Sequence, residues 1–152
     1  MVDYITNVLY PPIFDGSQAM SYTNQIARAA ALDSELIFTC NTFYLDKAYA
    51  NTTYSYFFTV PPALHGSDIA YTYYNGPTDP DPVDPSASVA IALQEYITHF
   101  AETGSPNQPG VPSFVMYGAN ATVQNLNITG ITEQMDPAAN QRCNWWQRVL
   151  YQ

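Results

Sequence analysis

The segment TTYSYFFTV, residues 52–60, decides how the rest of the chain is read. Thr, Tyr, Phe and Val favour strands, and Pro61-Pro62 closes the run because proline cannot donate to a sheet ladder. The unbroken YFF predicts a strand buried on both faces rather than one with a solvated side. A strand of that kind belongs inside a larger sheet with helices over each face. That places the chain in the α/β class, although few further strands are visible to build the sheet.

Upstream, YTNQIARAAA (residues 22–31) has helical composition, and ELIFTCNTFYLDKAYA (residues 35–50) follows it. Leu36, Cys40 and Phe43, extending to Lys47, recur at helical spacing, with Asp33 or Ser34 as the expected N-cap. Downstream, DIAYTYY reads as one short helix or an irregular segment, and GPTDPDPVDP as a loop. Asp84-Pro85 is expected to cap a helix reaching Thr103, with Val89, Leu93, Tyr96 and Phe100 on one face and Gly104 ending it. SFVMYG and ATVQNLNIT are expected to form a short antiparallel strand pair. Asp136-Pro137 then starts a last helix that aligns Ala139, Cys143, Trp146 and Leu150. No internal repeat or heptad pattern is visible.

Composition bounds the function. The 152 residues are 47% hydrophobic, with 13 Tyr, 7 Phe and 2 Trp, enough for one domain with a real core. Four Lys and Arg against thirteen Asp and Glu give a net charge of −9, which would repel phosphate backbones and anionic lipid. Nucleic acid is therefore not expected as a partner. No run of about 18 apolar residues exists, so no membrane span is expected. MVDYITNVLYPPIFDG lacks the basic and apolar regions of a secretory signal. Yet two cysteines, Cys40 and Cys143, and three sequons at Asn51, Asn120 and Asn127 suggest an extracellular history.

The candidate base is His65, in a loop after the C-terminal end of the expected strand, where α/β folds place active-site loops. Gly66 leaves room for close approach of a substrate or a second backbone. A lone loop histidine is ordinarily just an exposed or hydrogen-bonded residue. To act as a base it needs a nucleophile and an orienting carboxylate within reach. No G-x-S-x-G is present. Ser17, Ser67 and Ser105 each follow glycine without a strand–turn–helix elbow around them. Cys40 suits packing or a disulfide better than a reactive thiolate, and Asp68 suits a helix cap better than a triad acid. His65 and His99 lie 99 − 65 = 34 residues apart without a metal-binding motif, so His99 reads as a packing residue. DPDPVDP lacks the glycine and closing Glu of a calcium loop, and Trp145-Trp146 reads as core. No metal or cofactor is expected.

In order along the chain, DSELIFTC, TTYSYFFTV, LHGSDIAYTYY, YITHFAETGSPNQP, SFVMYG, NLNIT and DPAANQRCNWWQRVLYQ resemble the C-terminal part of type-B carboxylesterases. These are cholinesterase-like α/β-hydrolases, and the fungal carboxylesterases and lipases are the nearest in pattern. The resemblance covers nearly everything from Tyr10 onward. It implies that residues 1–152 are an incomplete, C-terminal portion of an α/β-hydrolase. The expected elements are about one buried strand, several helices and a small antiparallel pair. It implies that His65 is the triad histidine, that Cys40 and Cys143 are disulfide-bonded, and that the substrate is a small-molecule or lipid ester. It further implies a secreted protein. The serine elbow, oxyanion-hole glycines and triad acid of that family have no counterpart in these residues. The chain alone is therefore expected to be inactive. The alternative within the resemblance is a catalytically dead interaction module, and an unrelated small α+β glycoprotein ranks last.

Overall fold

The computed structural model describes residues 1–15, 22–76 and 86–148. They fall into two compact units, residues 1–49 with 137–152 and residues 50–136.

The first unit is helical. Helix α1 (Val2–Tyr4) runs into a π-helical turn (Ile5–Leu9). Helix α2 (Gln25–Ser34) starts at Asn24, whose extended backbone lets its side chain accept from the Ala27 N–H at 2.9 Å. Arg28 of α2 donates from Nε to the Tyr10 carbonyl at 2.6 Å and from a terminal nitrogen to the Thr6 carbonyl. The expected break at Asp33–Ser34 does not occur. Ser34 is helical, and the chain continues through a π-helical turn (Glu35–Thr39) into α3 (Cys40–Ala48). That turn inserts a residue and rotates the face. The buried set is Glu35, Cys40, Phe43 and Asp46, while Leu36 is half-buried and Lys47 exposed. A five-residue step from Glu35 to Cys40 keeps both on the inner side.

Helix α6 (Gln141–Arg148) completes this unit. It begins later than Asp136-Pro137 predicts, because Asn140 is the residue whose side chain accepts from the Cys143 N–H, at 2.9 Å. Asp136 instead accepts from the Tyr117 hydroxyl at 2.7 Å. Cys143 is buried as expected and Trp146 is half-buried; Leu150 lies outside the described residues. Leu9, Tyr10 and Tyr22 form one buried cluster, with Trp145 and Trp146 packed against it, and Cys40, Phe43, Ala138 and Cys143 are buried as well.

The second unit is a three-stranded mixed sheet with a helix over one face. Strands β1 (Tyr56–Phe58) and β2 (Thr122–Asn127) are parallel, and β2 and β3 (Gly130–Met135) antiparallel, in the order β1-β2-β3. This is an α/β arrangement of small size. Strand β1 is shorter and more open than its sequence predicts: Tyr56 is 38% exposed, and Phe57 and Phe58 are half-buried. Within the described sheet β1 is an edge, so one side of its ladder lacks a neighbour to cover it.

The antiparallel pair exists, but its partners differ from the expected ones. SFVMYG is irregular. Asn107 clamps it by accepting from the Phe114 N–H at 2.7 Å and donating to the Phe114 carbonyl at 2.9 Å, as a neighbouring strand would. The true partner of β2 is GITEQM, joined through the two-residue turn Ile128-Thr129 with Asn127 opposite Gly130. The Asn127 amide donates to the Thr59 carbonyl (2.9 Å) and hydroxyl (2.8 Å), fastening the hairpin tip to the end of β1.

Between β1 and β2 run α4 (Ile69–Thr72) and α5 (Ala87–Thr103). Asp84-Pro85, expected as the start of α5, lies outside the described residues, as does the DPDPVDP loop; Ser86 occupies the N-cap position. Val89, Leu93 and Tyr96 are buried against Val60, Tyr71, Phe114 and Leu126, whereas Phe100 is 49% exposed. Gly104 ends α5 with φ of +79°, the left-handed conformation that glycine adopts at low cost, and its N–H returns to Phe100.

Candidate active site around His65

His65 sits in a turn of residues 65–68 between the end of β1 and the start of α4. The turn is built from its own backbone. The Leu64 N–H donates to the Ser67 hydroxyl at 3.0 Å, the Ser67 N–H to the Leu64 carbonyl at 3.0 Å, and the Ile69 N–H to the Gly66 carbonyl at 3.1 Å. Gly66 has φ of +82°, the left-handed conformation that favours glycine at this bend. His65 is exposed, and so are the apolar side chains of Leu64 (69%), Ile69 (59%) and Tyr73 (77%) on the same turn and helix. An imidazole presented on such a turn can exchange protons with a group brought to it.

The other candidates are occupied elsewhere. Ser67 Oγ accepts within the turn, and Ser105 Oγ accepts from the Asn107 N–H at 3.3 Å. Ser17 lies outside the described residues. Asp68 holds the N-cap position of α4 but makes no side-chain capping bond there; its carboxylate accepts from the Tyr56 hydroxyl at 2.7 Å. Burial first, then that hydrogen bond and the carboxylate's charge, push the Tyr56 hydroxyl above the ordinary tyrosine range. His99 Nδ1 donates to the Ser105 carbonyl at 2.7 Å, so this imidazole serves the C-terminal end of α5. The two histidines thus have separate roles.

An apolar cavity of about 180 Å³ lies between β1 and α5, with Tyr54, Tyr56, Ile97, Phe100 and Phe114 in its walls. Its lining carries no histidine, serine or carboxylate. Among the described residues, the set with metal-ligand atoms close together is Glu35, Cys40 and Cys143. There the two sulfurs are joined to each other in a Cys40–Cys143 disulfide, with Cα atoms 5.0 Å apart, and are not thiolates.

That disulfide lies beside a polar cluster that no sequence motif announced. The Glu35 carboxylate accepts from the Tyr10 hydroxyl (2.6 Å), Asn140 Nδ2 (3.1 Å), and Arg142 Nε (2.8 Å) and Nη2 (2.5 Å). Trp146 Nε1 donates to the Tyr10 hydroxyl at 3.0 Å. Burial tends to lower the Arg142 pKa, but the hydrogen bonds and charge of Glu35 outweigh it and hold the guanidinium above its usual range. Burial first, then the hydrogen bond to Glu35, push the Tyr10 hydroxyl above the ordinary tyrosine range. The arrangement is a fixed ion pair that anchors α6, its carboxylate oxygens already engaged by four donors.

Of the sequon residues, Asn120 is exposed, Asn51 is half-buried with φ of +61°, and Asn127 has its amide nitrogen engaged by Thr59. No helix among the described residues is long and apolar enough to cross a membrane.

Nearly the whole sequence aligns with part of two curated proteins named carboxylesterases. It is 38% identical over 148 residues to Carboxylesterase patB of Penicillium expansum, and 38% identical over 150 residues to Carboxylesterase patB of Aspergillus clavatus. Each alignment takes in 97% of this chain and 26% of the relative. The chain is carboxylesterase-like in sequence. It spans about a quarter of the length of the curated relatives it matches. No family model matches it.

Proposed function

We propose that this chain contributes the catalytic base of a secreted serine carboxylesterase, and that His65 is that base. The observation that carries the reading is the position of His65. It stands exposed on a glycine-bent turn just beyond the end of a parallel strand, inside a stretch that matches carboxylesterases over 97% of its length. In this reading the imidazole takes the proton of a serine hydroxyl as it attacks the ester carbonyl, then returns it to the leaving alcohol. Water repeats the cycle on the acyl-enzyme. The serine, the triad acid and the oxyanion donors come from residues outside these 152, on the type-B α/β-hydrolase plan. A span of 26% of each relative supports that division.

By the same argument the 152-residue chain alone hydrolyses nothing, because its sequence holds no G-x-S-x-G and no serine nucleophile stands beside His65 among the described residues. The disulfide and the exposed sequon at Asn120 support an extracellular setting. A chimera tests the reading: the upstream three quarters of the Penicillium relative joined to this chain, assayed on an aryl ester. Hydrolysis that falls by roughly 10⁴-fold or more in His65→Ala is the expected result. Hydrolysis indifferent to His65→Ala would overturn it, as would His65-dependent turnover by the chain alone.

A further inference from the structure

The side chain of Asp68 does something its position does not require. At the N-cap of α4 a carboxylate ordinarily accepts from a first-turn N–H, which stabilises a helix by about 1 kcal/mol. Asp68 makes no such bond. It reaches instead to the Tyr56 hydroxyl on the first residue of β1, a charge-assisted bond of 2.7 Å. Its carbonyl meanwhile accepts from the Tyr71 and Thr72 N–H groups and from the Thr72 hydroxyl, at 3.1, 2.9 and 3.0 Å. One residue thus ends the His65 turn, begins α4 and ties both to the strand. The tie spans Pro61-Pro62 in sequence and joins the C-terminal end of the turn to the first residue of β1.

We propose that Tyr56 and Asp68 are a positioning pair, which fixes the turn carrying His65 relative to strand β1 and so holds the imidazole in one place for proton transfer. This rests on the reading of His65 as a base and adds two residues that do not themselves meet the substrate. Proton transfer needs the base within hydrogen-bond reach of the hydroxyl it serves, and a displacement near 1 Å can cost about 10²-fold in rate.

The chain contains its own reporter and its own control, because His65 and His99 are its two histidines. His99 belongs to the same unit but is held by Ser105 at the far end of α5. With histidine labelled in the purified chain, the imidazole resonances and their relaxation are compared in Tyr56→Phe, Asp68→Ala and Asp68→Asn. The expected result is a shifted, more mobile His65 in Tyr56→Phe and in Asp68→Ala, with His99 unchanged. The double variant should be no worse than either single one, and Asp68→Asn, whose carboxamide oxygen still accepts, should stay near the original. A His65 signal unchanged in Tyr56→Phe overturns the proposal. So does a change in both histidines, which would mark the pair as general support for the unit.

In the carboxylesterase chimera, Tyr56→Phe should lower kcat about tenfold with KM held, as misplacement of a base predicts. Unchanged kcat also overturns the positioning role. If His65→Ala leaves the chimera active while the resonances behave as expected, the base assignment is what has failed.

Discussion

The two units of this chain are held by different physics. Residues 1–49 with 137–152 are tied by a disulfide and by an ion pair with three further hydrogen-bonded neighbours, beside buried apolar residues that include Leu9, Tyr10, Tyr22 and Phe43. Residues 50–136 depend on aromatic and aliphatic packing under a short sheet. Tyr96 meets Phe114 edge-on at 5.0 Å, and Phe58 meets Tyr71 at 4.9 Å. The first unit adds a cross-link and a paired charge to its packing; the second, among the described residues, relies on packed aromatic and aliphatic side chains. The candidate chemistry sits on the second, where a packed scaffold can hold an exposed loop.

The largest effect should come from breaking the cross-link. Reduction of Cys40–Cys143, which closes 103 residues, should cost about 4–5 kcal/mol in the chain-entropy account. Hydrogen exchange should show protection lost first in α2, α3 and α6, with the β2–β3 hairpin outlasting them. Equal loss in both units would remove the contrast. In the other unit, Leu93, 1% exposed in the core, is the matching target. Leu93→Ala should cost about 2–5 kcal/mol in urea unfolding, with the hairpin amides losing protection ahead of α3.

Glu35→Gln keeps the shape of the polar cluster but removes the charge facing Arg142. It should cost about 2–3 kcal/mol, and replacing Arg142 by Met in the same variant should recover part of this. Alkali probes the second unit. Burial first, then the charge of Glu95, push the Tyr96 hydroxyl up to about 12 from 10.0. An acid whose ionisation folding suppresses contributes stability that is complete below pH 10 and is lost as the pH rises toward 12. Urea midpoints should therefore fall across that window, by an amount on the order of 2 kcal/mol for this group. Tyr96→Phe should flatten the curve. The smallest effect has the opposite sign. Gln124 is 1% exposed, and its Oε1 has no hydrogen-bond partner among the described residues. Gln124→Met should raise stability by about 1 kcal/mol, because a buried acceptor without a partner is removed.

Elements with a strong local signal are legible in the residues themselves. Helix α5 reads from its periodic Val89, Leu93 and Tyr96, and its end from Gly104, because periodicity and left-handed glycine are local properties. The β3 strand is not legible in this way. GITEQM offers only Ile131 and Met135 as large apolar residues, and it becomes a strand because β2 supplies a ladder for it. SFVMYG fails in the reverse sense: its composition suits a strand, yet Asn107 takes both backbone groups of Phe114, and the Tyr117 and Gly118 N–H groups go to the Thr53 and Asn51 carbonyls. The π-helical turn at Glu35–Thr39 shifts the buried stripe by one residue, which no fixed helical period anticipates.

The candidate site divides along the same line. By itself the sequence determined that His65 follows a strand next to a glycine, that the two cysteines permit a single pairing, and that the acidic charge disfavours phosphate partners. These follow from residue identity, order and charge, which the chain carries in any conformation. Only the tertiary structure decided that Asp68 meets Tyr56, that Glu35 meets Arg142, and that His99 serves a helix end. Those groups stand 12, 107 and 6 residues from their partners, and a side-chain hydrogen bond operates over about 3 Å of space, however far apart the residues lie along the chain.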